Sequence, residues 1–229
     1  IGVFAMIAYT VGSYGVAMLI PLGKLIASVA AATILFVCVI ALIASLLTRI
    51  NFFHVLKAIK DILFLAFSTA SSEAALPLAM ERLSQLGIRK NIVTFVMPTG
   101  YSFNLDGSTL YSSAGILFIA QLYGIDMSIE QQILVMLTLM LSTKGIAGVP
   151  GAGIIVVAAT AAAFNLPTDG VAILLGIDRL LDMIRTVCNV CGNCMATVVV
   201  ARWEGELPKD RFNAAYKALM SGKQLKDDF

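Results

Sequence analysis

Apolar positions run through this chain in long stretches broken by short polar interruptions. Residues 1–20 carry no charge, and beyond Lys24 the run 25–48 is again uncharged until Arg49. A helix of about 20 apolar residues spans the hydrocarbon layer of a bilayer, so the pattern predicts two transmembrane helices in 1–50. Asn51 to Asp61, with His54, Lys57 and Lys60, reads as an interfacial helix. From residue 62 the pattern changes. The apolar segment 62–80 is interrupted by Ser68 to Glu73 and by Pro77, and the apolar span 92–125 is broken by Asn104-Leu105-Asp106-Gly107-Ser108. Segments 133–141 and 154–166 flank the small-residue stretch Ser142 to Gly153, and a last span, about 171–201, carries Asp178, Arg179, Asp182, Arg185, Asn189 and Asn193. After Arg202 the chain turns amphipathic and charged, with Trp203 placed as an interface anchor.

Backbone polar groups inside a bilayer need partners, so broken helices persist there only within protein or beside water-filled cavities. The interruptions also repeat. Each half has a segment broken by small and polar residues with a following proline (Ala75-Leu76-Pro77; Gly148-Val149-Pro150), then a span with Asn-x-x-Gly (Asn104 to Gly107; Asn189 to Gly192). Paired interrupted segments of this kind point to the binding site of a transporter built from an inverted repeat. The predicted fold is an all-α integral membrane protein of transmembrane helices, two re-entrant helical hairpins and broken helices. The predicted divisions are two helices in 1–50, a core in 51–202 and an amphipathic tail in 203–229. Within the core fall hairpin 1 (about 58–91), a broken helix (about 92–125), hairpin 2 (about 130–166) and the last helix.

Composition agrees with that pattern. Of 229 residues 59% are hydrophobic and 13% charged, and the mean hydropathy is +0.91, beyond what a water-soluble domain can cover with polar surface. A formal charge of +2, without a basic patch, argues against nucleic acid as a partner. The sequence opens at Ile1 inside an apolar stretch, which leads to the expectation that residues precede it.

Candidate chemistry concentrates on the last helix. At 100° per residue, Asp178, Asp182, Arg185, Thr186, Asn189 and Asn193 fall within about 100° of one another, with Arg179 at the edge, while Cys188, Cys191 and Cys194 lie opposite. A charge at the centre of a membrane helix costs roughly 2.5–3.5 kcal/mol on insertion scales, so a cluster of them signals function. Arg185 offers a planar fork for a carboxylate and Asp182 an acceptor for an ammonium group. Together they suit an acidic amino acid. The hydroxyls and backbone N–H groups near Ser71 and Ser72 can hold a second carboxylate. Asn104, Asp106, Asn189 and Asn193 offer hard oxygen ligands for a small cation. Alternatively the charges pair among themselves, Asp182 with Arg185 and Asp178 with Arg185 or Arg179. Two other classes stay open: a channel lined by the polar stripe, and a redox or metal protein built on the three cysteines. The cysteines lack polar company on their face, which favours packing. Lys144 and Glu73, each at the start of an interrupted stretch, read as interfacial residues or as protonatable groups, with a structural or gating role favoured.

Four segments carry a family resemblance: Ser71-Ser72-Glu73-Ala74-Ala75-Leu76-Pro77, Pro98 through Ser108, Lys144 through Gly153, and Asp182 through Gly192. In these the chain resembles the dicarboxylate/amino acid:cation symporters, the group of the glutamate transporters, and especially the bacterial glutamate/aspartate carriers. The resemblance implies a transport domain moving against a trimeric scaffold in the cell's inner (plasma) membrane, with one scaffold-side helix in 1–50. The pieces would be the fifth and sixth helices, first hairpin, broken seventh helix, second hairpin and eighth helix, with a cytoplasmic tail. It implies that Arg185 binds the substrate side-chain carboxylate and Asp182 the amine. Thr186, Asn189, Ser108, Ser72, Val149 and Gly153 would line the pocket, with residues 142–153 as the gate. It implies no cofactor beyond a coupling ion, Na+ or H+, with Gly100, Asn104, Asn189 and the position of Asn193 forming one sodium site and Asp106 belonging to another. Sodium-coupled members have aspartate where this chain has Asn193, which tilts the expectation toward protons. Dicarboxylate carriers tend to lack an acid at the position of Asp182.

Overall fold

The computed structural model describes residues 2–145 and 151–222, and among these residues there are helices and no strands. Helix α1 (Gly2–Tyr14) stops at Gly15, whose φ of 82° lies in the left-handed region that favours glycine. After a 3-10 turn, α2 (Leu19–Thr48) runs for 30 residues. The first helix boundary therefore falls at Gly15 and not near Lys24. A lone lysine does not end a helix, because its stem can lie along apolar surface while its ammonium reaches outward. Pro21 sits in the first turn of α2, where its missing N–H costs no internal bond.

Helix α3 (Phe52–Ala58) is capped by the Asn51 side chain, which accepts from the Phe53 N–H at 3.0 Å. Helix α4 (Lys60–Thr69) ends at Ala70, held left-handed at φ 49°, and α5 (Ser72–Gln85) restarts at once with Ser71 as its cap. The polar interruption 68–73 is thus a helix–break–helix corner, its two arms packed together. Helices α6 (Lys90–Phe103) and α7 (Asp106–Leu122) are separated by Asn104 and Leu105. A reciprocal capping box between Ser128 and Gln131 starts α8 (Ile129–Ser142), which passes into a 3-10 turn, Thr143–Gly145. Helix α9 (Ala152–Ala163) follows, then α10 (Asp169–Leu175), α11 (Asp178–Trp203) and α12 (Lys209–Met220). The last apolar span is two helices, parted at Gly176 and Ile177, where α10 turns to pack on α1.

Helix α11 is the axis of the molecule, bordered by α2, α4, α5, α6 and α7. Two apolar clusters meet along it. One joins Phe52, Ile59, Ala75, Leu83, Met97 and Cys194 with Phe212 of α12; the other joins Leu22, Tyr111, Ile119, Leu139, Val157 and Leu174. Helix α2 buries a narrow stripe (Leu22, Leu25, Val29, Thr33, Ala41, Ala44, Thr48) at three- and four-residue spacing. Its other face leaves Leu35, Leu42 and Leu46 exposed, the last at 71%. So large an apolar surface is unsuited to water. Val16–Thr48 and Asp178–Trp203 are both long and apolar enough to cross a membrane. Arg202 ties the far end of α11 to that of α2 by donating from Nε to the Thr48 carbonyl at 3.1 Å. The tail helix docks on α3, where the Tyr216 and His54 rings stack at 4.3 Å.

Candidate functional site

The polar face of α11 meets the start of α7, and the contact is close because of glycine. A Cβ on Gly107 would collide with the Arg185 carbonyl oxygen and come within 2.7 Å of the Cys188 Cβ. Backbone approach at this point lets α7 present its first N–H groups and Ser108 to α11. The Gly107 N–H donates to Asn189 Oδ1 at 2.8 Å, and Asn189 Nδ2 donates to Ser108 Oγ at 3.0 Å. Arg185 Nη1 donates to the same hydroxyl at 3.1 Å, while its Nε donates to Asp182 Oδ1. The second Asp182 oxygen accepts from the Gly151 N–H at 2.9 Å, at the start of α9.

All of these groups are buried: Ser108 is 0% exposed, Asp182 1%, Arg185 4% and Asn189 4%. A buried ion pair is tolerable only when further hydrogen bonds complete it, and here each partner has one. Two of the five guanidinium N–H donors are engaged by described residues, which leaves capacity for an incoming carboxylate.

Of the residues expected at a substrate site, Asp182, Arg185, Asn189 and Ser108 form this one network. The Thr186 hydroxyl is buried on the same face and donates to the Asp182 backbone carbonyl at 2.8 Å. Gly153 lies against Arg185 Nη1 and the Tyr111 ring, both 3.0 Å from where its Cβ would stand. Ser71 caps α5 by accepting from the Ala74 N–H at 3.3 Å, and Ser72 is buried beside it. Among the described residues neither is hydrogen-bonded to the Arg185 network, though α4 and α5 both flank α11. Val149, and with it the middle of the expected gate, lies outside the described residues.

The expected cation ligands gather one step further along α11. With its amide nitrogen turned toward Asp106, Asn104 donates to that carboxylate, and its oxygen accepts from the Asn193 N–H at 3.2 Å. Gly100 packs so tightly on Asn193 that a Cβ would stand 2.5 Å from Oδ1. Asn189, expected in both groups, is hydrogen-bonded to Gly107 and Ser108 and, through its side chain, to none of Asn104, Asp106 and Asn193 among the described residues; the two groups follow one another along the seam where α11 contacts the α6–α7 break.

Of the internal pairings considered from sequence, Asp182 with Arg185 is present. Asp178 instead accepts from the Tyr111 hydroxyl at 2.6 Å, and Arg179 donates to the Thr69 carbonyl at 3.1 Å, reaching the C-terminal end of α4. Tyr111 is a site residue that the sequence reading does not single out. Its signal is the α7 pattern Gly107, Ser108, Tyr111, Ser112, Gly115, a buried face at helical spacing. The Thr109–Thr143 hydroxyl contact at 2.9 Å, which joins α7 to the end of α8, is likewise unforeseen. Lys144 donates to the Phe103 carbonyl, and Glu73 accepts from the Tyr101 hydroxyl at 2.9 Å. Cys188, Cys191 and Cys194 are buried thiols, the last two within the first apolar cluster. Among the described residues no three His, Cys, Asp or Glu side chains converge.

A family model for the sodium:dicarboxylate symporter family matches residues 1–203. The chain belongs to that family. It is similar to a proton/sodium-glutamate symport protein of Geobacillus stearothermophilus, 51% identical over 92% of this chain and 50% of the relative. A proton/glutamate-aspartate symporter of Escherichia coli is 48% identical over 97% of this chain and 51% of its own length. A C4-dicarboxylate transport protein of Rhodospirillum rubrum is 43% identical over 98% of this chain and 50% of its own. The chain spans about half the length of these relatives. The family is one of membrane transporters, and an all-helical arrangement with two helices long and apolar enough to cross a membrane agrees with it.

Proposed function

We propose that this chain forms the substrate-binding part of a secondary symporter that carries L-glutamate or L-aspartate across the cell's inner membrane by alternating access. The observation that carries the reading is the buried Asp182–Arg185 pair with its Ser108 and Gly151 partners. An acidic amino acid can replace that pairing group for group. Its side-chain carboxylate takes the Arg185 fork and its ammonium takes Asp182. Thr186, Asn189 and Gly153 complete the surround, and the corner at Ser71 and Ser72 supplies hydroxyls for the remaining carboxylate. No covalent step is required. Relatives named for glutamate, for aspartate and for C4-dicarboxylates support an acidic substrate, and the carboxylate of Asp182 favours one that bears an amine.

In this reading α4–α5 and α8–α9 are re-entrant hairpins related by an inverted repeat, with α6–α7 and α10–α11 as the matching broken spans. Residues 51–202 are the transport core and the complete protein works as a homotrimer. The coupling cation binds along Gly100, Asn104, Asp106, Asn189 and Asn193. Because Asn193 is uncharged, protons are favoured over sodium as the driving ion.

The test is uptake of labelled L-glutamate, L-aspartate and succinate into proteoliposomes holding the full-length protein, with proton and sodium gradients imposed separately. Saturable amino-acid accumulation driven by protons is expected. Uptake of succinate alone would move the substrate to dicarboxylates, and conduction without saturable uptake would replace the symporter by a channel.

A further inference from the structure

The α6–α7 break exposes what a small cation normally neutralises. Phe103 is the last residue of α6, so its carbonyl lies among those left without a helical partner and at the negative end of the helix dipole. Asp106 follows three residues later as the first residue of α7, with Asn104 between them bonded to its carboxylate. Free carbonyls at broken-helix ends together with a carboxylate are the oxygen set with which transporters hold a monovalent cation.

In this chain a side chain already stands there. The Lys144 ammonium donates to the Phe103 carbonyl, three residues before Asp106. Its approach is set by the preceding residue, since Thr143 is fully buried and its hydroxyl is 2.9 Å from that of Thr109, one turn into α7. That contact joins the 3-10 turn to the start of α7, and from there the Lys144 stem reaches the carbonyl. Asn193, the α11 side chain that faces Asn104, brings no charge. The junction therefore brings one ammonium to the end of α6 that leads into the Asp106 carboxylate.

We propose that Lys144 is a tethered cation, its ammonium doing at the α6–α7 junction the work of a free monovalent metal ion, and that it thereby sets which inorganic cation the protein responds to. A tethered charge needs no binding from solution, and a second cation entering beside it is repelled. Removing that repulsion at close range is worth about tenfold in cation affinity. The effect of Lys144 on uptake rests on the transport reading above, whereas its effect on cation binding does not.

The experiment uses the full-length protein purified in detergent, as wild type, Lys144→Met and Lys144→Arg. Thermal unfolding is followed in sodium chloride and in choline chloride at equal ionic strength. In choline, Lys144→Met is expected to unfold at a lower temperature than wild type. Sodium should restore it, with a half-maximal concentration about tenfold below that for any sodium effect on wild type. Lys144→Arg, which keeps a tethered charge, should follow wild type. An identical sodium response in wild type and Lys144→Met overturns the proposal. In proteoliposomes, Lys144→Met should require sodium for uptake at concentrations where wild type does not respond to it. If wild type accumulates no acidic substrate under any gradient but the two sodium responses differ, the transport reading falls and the tethered cation stands. The reverse pattern separates them the other way.

Discussion

Replacing Arg185 by lysine isolates the guanidinium fork from the charge it carries. The neighbouring bonds make the variant informative. Ser108 Oγ would still accept from Asn189 at 3.0 Å, and Asp182 Oδ2 would still accept from the Gly151 N–H at 2.9 Å. Neither partner is orphaned and the positive charge stays, so the fold should survive with a small loss of thermal stability. Arg185→Ala would instead strand the Asp182 carboxylate, and breaking a buried pair in this way costs about 3–5 kcal/mol, enough to confuse binding with unfolding. A single ammonium cannot serve Asp182, Ser108 and a substrate carboxylate from the positions that Nε and Nη1 occupy. Losing one hydrogen bond to a charged group costs roughly 1.5–3 kcal/mol, or about 10- to 150-fold in affinity. The assay is calorimetric titration of L-aspartate and L-glutamate into the full-length protein, with uptake kinetics in proteoliposomes alongside. Affinity should fall by at least tenfold while the melting temperature changes little. An affinity within twofold of wild type would refute the assignment of Arg185 as the carboxylate fork.

Asp182→Asn removes the charge assigned to the amine, so competition assays should show a loss of about 100-fold or more for aspartate and a smaller loss for succinate, which has no ammonium to place. Gly107→Ala inserts a methyl group 2.7 Å from the Cys188 Cβ and against the Arg185 backbone. Overpacking of that kind costs about 1–3 kcal/mol. Thermal unfolding should register it, with Gly12→Ala in α1, where nothing lies within 4 Å, as the comparison that carries the helix-propensity gain without the clash. Replacing Cys188, Cys191 and Cys194 together with alanine should leave uptake at more than half of wild type, since none of them contributes to the polar network; loss of uptake in a folded triple variant would restore the redox or metal reading.

Much of the site is legible in the sequence because α11 is one unbroken helix. On such an element spacing becomes angle, so the shared face of Asp182, Arg185, Asn189 and Asn193 follows from their numbers in the chain. The breaks at Ala70–Ser71 and Asn104–Leu105 are legible for a related reason, since polar groups inside apolar segments demand irregular backbone. Contacts between elements are hidden. That Asp178 finds Tyr111 and Asp182 finds the Gly151 N–H depends on how α7 and α9 dock on α11, and no periodicity along one helix encodes that. The end of α1 is masked by Lys24, whose charge reads as a boundary, when the residue that forces the turn is Gly15 with its positive φ.

The charges along the seam bear on why transport should be coupled at all. Asp106, Asp178 and Asp182 stand with Lys144, Arg179 and Arg185, three acids with three bases. Each has a partner inside the protein: Lys144 is on the Phe103 carbonyl, Asp106 accepts from the Asn104 amide, Arg179 is on the Thr69 carbonyl, Asp178 on the Tyr111 hydroxyl, and Arg185 on Asp182. The seam by itself is formally balanced. An acidic amino acid at neutral pH has two carboxylates and one ammonium, so its arrival adds one negative charge that no residue of this network is free to match. Burying an unmatched charge costs several kcal/mol, more than the hydrogen bonds of one carboxylate readily return. On the proposed reading, at least one positive charge therefore enters with each glutamate or aspartate, as a proton or as a metal ion. A C4-dicarboxylate adds two negative charges by the same reasoning and needs two. Measuring cations carried per substrate, separately for aspartate and succinate, compares the charge each substrate brings with the balance of the seam itself.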